Sequence, residues 1–229
     1  EGFLSRFGIS QNFPDEPRTM IFGGRFGGLI AKSDAGRTSY TTSSGFGGAS
    51  FESYDRAAMR CLGEAVERTC LGFYKKNDLV FGSFRELKGE AIHPREFVGP
   101  SQNQLKDEKF SRFRFDEDSR FGWAWGRSLI DGRKVLVPAQ LVYVPYKYEK
   151  DEPTIRLPIS TGAAAYTERD EALYRGVCEV IERDAFMIHY LNSLSPPIID
   201  LANSGDEDLR KIDRMFKRYN LELYVLDVT

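Results

Sequence analysis

The chain is poor in the side chains that carry most redox, zinc and proton-transfer chemistry: its 229 residues hold three cysteines and two histidines. Cys61, Cys70 and Cys178 show no C-x-x-C spacing, which excludes a zinc or disulfide framework. Two of them fall among apolar neighbours on predicted helices, the pattern of buried thiols in a reducing compartment. His93 and His189 are far apart, and His189 lies in an apolar helical stretch, where a structural histidine is the expectation. An excess of one charge is also lacking, since 32 Lys and Arg face 34 Asp and Glu for a formal net charge of -2. Interspersed charge of that kind excludes a nucleic-acid groove or an anionic membrane surface as the main partner. No apolar run approaches the roughly 18 residues that span a bilayer, and no basic stretch precedes an apolar one near residue 1, so a cytoplasmic protein is expected. Neither G-x-x-x-x-G-K-[ST] nor H-R-D occurs, which removes the two common phosphate-binding templates.

What is present is a core. Hydrophobic residues make up 41% of the chain and aromatics 13%, too many for a disordered segment, and one α+β domain is expected. Glu1 is not a start methionine and residues 221–228 read as a strand with nothing after it, so the expected domain is a piece truncated at both ends. Short β-like runs at 19–22, 29–32 and 38–42 are separated by Gly-Gly pairs at 23–24 and 27–28, as in a meander. A glycine-rich loop follows at 43–48. Apolar spacing predicts helices over 55–74, 170–194 (stopped by Pro196-Pro197) and 206–219, with short helical turns at 84–87 and 94–97 and a strand at 79–81. The polar stretch 101–118 reads as a mobile connection. Residues 121–130 and 134–144 around Asp131-Gly132 form the clearest hairpin, with Trp123 and Trp125 together on its core face.

The decisive feature is a cassette that occurs twice. Residues 47–68 and 162–183 align without a gap at an offset of 115, with eight identities: Gly47/Gly162, Ala49/Ala164, Asp55/Asp170, Ala57/Ala172, Arg60/Arg175, Glu64/Glu179, Glu67/Glu182 and Arg68/Arg183. Each copy is a small-residue loop leading into a helix that ends in Glu-x-x-Glu-Arg. Taken singly, Glu64 with Arg68 and Glu179 with Arg183 are i,i+4 ion pairs of about 0.3–0.5 kcal/mol each. A solvated pair has little reason to recur in one register after the same glycine, however. If the four carboxylates converge, their mutual repulsion, about 3 kcal/mol per pair at 5 Å with an effective dielectric near 20, calls for cations. Hard oxygen donors of this type suit magnesium shared with substrate phosphates, and the arginines and the loop backbone at 44–48 would meet the remaining phosphate charge. Asp184 falls within the apolar arc of its helix and is expected buried.

Ser44-Gly45-Phe46-Gly47, Leu62-Gly63-Glu64-Ala65-Val66-Glu67-Arg68, Val135-Leu136-Val137-Pro138-Ala139, Ser160-Thr161-Gly162-Ala163-Ala164-Ala165 and Glu179-Val180-Ile181-Glu182-Arg183-Asp184-Ala185-Phe186 together resemble the YcaO family, in particular its cyclodehydratases of azole-containing ribosomal peptides. The resemblance runs from about residue 22 to residue 229. It implies an ATP- and magnesium-dependent enzyme that converts Cys, Ser or Thr of a precursor peptide to azoline rings, or, on the same scaffold, forms thioamides or amidines. A scaffold with a decayed ATP site is the alternative of another class. The resemblance places Glu64, Glu67, Glu179 and Glu182 on magnesium, and Ser44, Arg60, Arg68, Glu171 and Arg183 at the nucleotide, with no side chain assigned as catalytic. Implied partners are the precursor peptide, a separate leader-peptide docking protein and a second copy of the chain. Phe46 stands where many relatives have Lys, and Arg60 where many have a small or hydroxyl residue.

Overall fold

The computed structural model describes residues 4–26 and 45–228, so the runs expected at 29–32 and 38–42, and Ser44, lie outside the described residues. In chain order the elements are β1 (Leu4–Ser10), β2 (Met20–Phe26), β3 (Gly45–Ser50), α1 (Tyr54–Leu71), β4 (Val80–Ser83), α2 (Phe84–Leu87), β5 (Arg120–Arg127), β6 (Lys134–Pro138), α3 (Ala139–Val142), α4 (Arg169–Leu191) and α5 (Glu207–Lys217). The fold is α+β, as read from the sequence. The chain divides into two units, one made of Glu1–Arg6, Arg25–Ser44 and Arg68–Ser160, the other of Phe7–Gly24, Gly45–Glu67 and Thr161–Thr229.

In the first unit β4, β5 and β6 form an antiparallel sheet in that order. Phe121, Trp123, Leu136 and Ile155 make its core, and the Trp123 indole Nε1 donates to the Gly82 carbonyl at 2.9 Å. Trp125 lies on the same face yet is 47% exposed, because β4 pairs with β5 only as far as Trp123. The hairpin is present, but its connection is longer than the expected two-residue turn. Arg127 pairs with Lys134, and the loop between them closes through Gly132 N–H to the Ser128 carbonyl at 3.0 Å, with Gly132 at φ 74°. After β6 the chain turns at once into α3, so the strand expected to reach residue 144 ends at Pro138.

The stretch 101–118 is built rather than mobile: it holds 3-10 turns at Gln104–Lys106 and Glu108–Phe113, and Phe113 is buried. Arg114 fastens it through the carbonyls of Leu105 (2.8 Å) and Asp107 (3.2 Å), and Arg95 through that of Phe115 (3.0 Å).

Glu152 sits at the centre of a second polar knot in this unit, accepting from Glu149 N–H (3.0 Å), Tyr146 Oη–H (3.1 Å), Gly122 N–H (3.3 Å) and Gln140 Nε2 (3.3 Å). Burial outweighs these bonds and holds its carboxyl above the ordinary range. A group whose pKa rises on folding contributes stability below its unfolded value and loses it as pH climbs through the folded one. Melting curves of wild type and Glu152→Gln should therefore diverge with pH, the wild type losing ground to the variant from pH 4.5 upward. A constant difference would contradict this.

The second unit holds most of the β1-β2-β3 sheet. Here the glycines behave differently from the sequence reading, since Gly23 and Gly24 lie inside β2 and the 43–48 loop is largely strand β3. The reason is close backbone packing: a Cβ on Gly45 would sit 3.2 Å from the Gly24 carbonyl, and one on Gly47 3.3 Å from that of Phe22. β1 has no counterpart in the sequence reading. α1 buries Ala57, Cys61 and Ala65, a stripe of small residues at i, i+4 and i+8, and Gly48 of β3 is seated on it.

α4 buries only Gly176, and Ile181 and Leu191 are 61% and 70% exposed. Of the three thiols only Cys61 is buried, one fewer than expected, with Cys70 and Cys178 exposed; Asp184 is exposed too, against the expectation of burial, because that arc of α4 has no covering element among the described residues. α5 is capped by the Asp206 carboxylate, which accepts from Asp208 N–H at 2.7 Å. The run 221–228 is not a full strand. It makes one antiparallel bridge, Ile198 to Leu226, flanked by Ile199 N–H to Val225 (2.8 Å) and Asp227 N–H to Pro197 (2.9 Å). Pro196 and Pro197 have no N–H to extend the ladder.

Candidate functional site

The two cassettes are repeated in three dimensions as well as in sequence. The Gly47 amide donates to Glu64 Oε2 at 2.7 Å, and the Gly162 amide donates to Glu179 Oε2 at 3.0 Å, each across seventeen positions. In both, loop backbone is pressed on the helix one turn before the glutamate. A Cβ on Gly48 would overlap the Ala57 carbonyl and the Cys61 amide, while a Cβ on Gly176, the position aligned with Cys61, would lie 2.6 Å from the Gly162 carbonyl. Small residues at that point let the loop approach, and the approach brings the glycine amide to the carboxylate. The expected shared element of loop followed by helix is therefore present, with strand β3 as the first copy's loop.

Glu64 and Glu179 are both half-buried at the margins of their helices. An ionised carboxylate accepting a backbone N–H makes a charge-assisted bond and has one oxygen fixed in place. Cys61, one turn before Glu64, is buried, and burial together with the Glu64 charge pushes its thiol up. It stays a neutral thiol and is unsuited to act as a nucleophile.

The remaining residues named from sequence are placed as follows. Glu67 and Arg68 are half-buried in the last turns of α1. Glu182 and Arg183 are exposed on α4, and Arg183 Nε lies 3.7 Å from Glu179 Oε1, so the i,i+4 pair is present in the second copy but long. Arg60 is exposed, and its Nη1 donates to the Ala49 carbonyl at 2.6 Å, clasping β3 to α1. Its counterpart Arg175 instead pairs with Glu171 at 2.7 Å and covers the Tyr166 ring at 4.7 Å. Phe46 is buried, so the position where many relatives carry Lys is a core residue here. His189 Nδ1 lies 3.0 Å from the Ala185 carbonyl, the structural role expected for it.

Among the described residues no group of three or more His, Cys, Asp or Glu side chains stands close enough to hold a metal ion. The donors nonetheless suit a hard divalent cation, being carboxylate oxygens at helix margins with one oxygen of each leading glutamate held by an amide. The glycine amides are what the sequence reading missed. Their signal is the Gly47/Gly162 identity itself, of which the sequence reads only the first loop, 44–48, as a phosphate contact.

The family model described as YcaO cyclodehydratase, ATP- and Mg2+-binding, matches residues 49–229. The chain belongs to the YcaO family. Among curated relatives, an uncharacterised protein in the tfuA 3' region of Rhizobium leguminosarum bv. trifolii is 32% identical over 110 residues, 47% of this YcaO chain and 26% of the relative. A heterocyclase solved in complex with substrate and cofactor superposes with a TM-score of 0.82 at 23% identity, covering 100% of this chain and 31% of that one. YcaO from Methanopyrus kandleri, bound with AMPPCP and Mg2+, gives 0.62 at 19% identity, covering 94% of this chain and 46% of that one. These likenesses show the fold. The chain thus spans between about a quarter and a half of the length of the proteins it matches. No helix among the described residues is long and apolar enough to cross a membrane.

Proposed function

We propose that the protein to which this chain belongs is an ATP- and magnesium-dependent enzyme that cyclodehydrates Cys, Ser or Thr residues in the backbone of a precursor peptide. The observation that carries the reading is the pair of amide-held glutamates, Glu64 and Glu179, in equivalent places of a twice-used cassette. It is supported by the family match over residues 49–229 and by the nucleotide and Mg2+ carried by the solved YcaO relative.

In the proposed reaction the substrate side-chain S–H or O–H gives up its proton to solvent as its sulfur or oxygen attacks the preceding carbonyl carbon, and the carbonyl oxygen takes the γ-phosphoryl group from ATP, releasing ADP. Phosphate then leaves with that oxygen while the ring nitrogen loses its proton, which gives the azoline. Glu64, Glu67, Glu179 and Glu182 would hold magnesium, and Arg68 and Arg183 would face phosphate oxygens, with Ser44, Arg60 and Glu171 completing the nucleotide set. Bound magnesium would neutralise triphosphate charge. Phosphoryl transfer depends on positioning and charge neutralisation, so this chemistry needs neither a cysteine nucleophile nor a histidine pair.

The partners in this reading are the precursor peptide and a separate docking protein that presents its leader. Co-expression of the full-length protein with its precursor, read by mass spectrometry, is expected to show the loss of one water per ring. A one-atom exchange of oxygen for sulfur would instead indicate the thioamide-forming variant. The buried Phe46, which supplies no cation where many relatives have Lys, favours a second reading as a non-catalytic precursor-binding scaffold. Calorimetry separates the two, since a folded full-length protein that binds no ATP with magnesium is the scaffold.

A further inference from the structure

We propose that Gly47 and Gly162 are positioning residues, whose amides clamp the leading glutamate of each cassette in the orientation that receives a metal ion. The proposal rests on the magnesium-dependent reading above and deepens it. A glutamate at a helix margin is among the side chains that lose most rotamer freedom when a ligand fixes it. An amide already bonded to Oε2 removes much of that loss beforehand, which is how groups behind metal ligands raise affinity.

Two independent copies show the same solution, with amide-to-carboxylate distances of 2.7 and 3.0 Å. Glycine is needed in each for a different local reason. Gly162 has φ 89°, a left-handed conformation strained for any side chain, and its Cβ would lie 3.1 Å from Val180 Cγ2. At Gly47 a Cβ would lie 3.3 Å from the Phe22 carbonyl oxygen, a backbone atom that cannot rotate away. An alanine strains the backbone at 162 and requires the β2–β3 backbone to give by a few tenths of an ångström at 47; either change shifts the amide while leaving every carboxylate intact. The sequence identity Gly47/Gly162 is explained on this basis by the bond to Glu64 and Glu179, rather than by phosphate contact.

The test uses the full-length protein with a non-hydrolysable ATP analogue and Mn2+ as the probe, read by electron paramagnetic resonance. Gly47→Ala and Gly162→Ala should each weaken Mn2+ affinity by about tenfold or more. In turnover assays each should raise the magnesium concentration required while leaving kcat at saturating magnesium close to wild type. Lowered melting temperature with unchanged Mn2+ affinity in both would overturn the proposal, because that is the signature of a merely structural loop. Where an alanine variant does not fold, amide hydrogen exchange decides. Gly47 and Gly162 should exchange slowly in wild type and in Glu64→Gln and Glu179→Gln, which retain an acceptor oxygen, and fast in the corresponding Leu variants. Fast exchange in wild type would overturn the clamp. A wild type that takes no Mn2+ would sink the magnesium-dependent reading together with the proposal, whereas wild-type binding matched by both alanine variants would sink the proposal alone.

Discussion

Glu64→Gln and Glu179→Gln, introduced singly in the full-length protein, are expected to lower ATP turnover by about a hundredfold or more while leaving the melting temperature almost unchanged. The asymmetry follows from what the amide needs and what a cation needs. Glutamine keeps an oxygen in reach of the Gly47 or Gly162 N–H, so the local hydrogen bond survives, but it brings no negative charge to a divalent ion. At Glu179 little else is lost. The Arg183–Glu179 pair is 3.7 Å long and more than half exposed on the arginine side, and such surface pairs contribute about 0–1 kcal/mol. If the glutamates served only to brace their helices, the opposite pattern would be measured, a modest fall in melting temperature with turnover retained.

The second large effect is on the fold. Gly48→Ala is expected to destabilise the chain by about 3 kcal/mol, at the upper end of overpacking effects, as read from urea denaturation. Its Cβ would overlap the Ala57 carbonyl and the Cys61 amide and come within 2.8 Å of Arg60 Cβ. Two of these three atoms are helix backbone, so no rotamer change relieves the contact. β3 and α1 would have to separate, and the Gly47–Glu64 bond with them. Gly63→Ala provides the contrast, because Gly63 lies in the middle of α1 with nothing within 4 Å of a Cβ. There alanine should stabilise by about 0.5–1 kcal/mol. Equal effects at the two positions would contradict the packing described for β3.

How much of this was legible in the sequence depended on whether a side-chain pattern or a backbone contact was responsible. α1, α4 and α5 were readable from apolar spacing, and the β5–β6 hairpin from its β-rich runs around Asp131-Gly132. The single turns at 84–87 and 94–97 were also found. The run at 19–22 is the first part of β2, but its continuation through Gly23 and Gly24 and the whole of β3 read as turn or loop for one reason: Gly23, Gly24, Gly45, Gly47 and Gly48 look like turn residues, whereas Gly45, Gly47 and Gly48 are there because another backbone passes within van der Waals distance. Trp125 shows the limit of alternation. Its face was right, but burial on that face ends where β4 ends, which a strand pattern does not reveal. For α4, an apolar sequence implied burial that only neighbouring elements can supply.

At the site the same division holds. Glu64, Glu67, Glu179 and Glu182 stood out because carboxylates repeat in register, and the structure sets Glu64 and Glu179 in matching surroundings. Their amide partners carry no side chain, so only the Gly47/Gly162 identity points to them. Arg60 and Arg175 illustrate the reverse: an identical pair in sequence, they do different things, one holding the Ala49 carbonyl and the other pairing with Glu171.

The central claim is that the two cassettes serve one metal–nucleotide centre. Anomalous diffraction from crystals of the full-length protein grown with Mn2+ and a non-hydrolysable ATP analogue tests it most directly. The account predicts manganese peaks beside the analogue's phosphates, ligated by Glu64 and Glu179 together with Glu67 or Glu182, with Gly47 and Gly162 still bonded to the leading glutamates. Manganese and nucleotide bound elsewhere, with those carboxylates facing solvent, would contradict it.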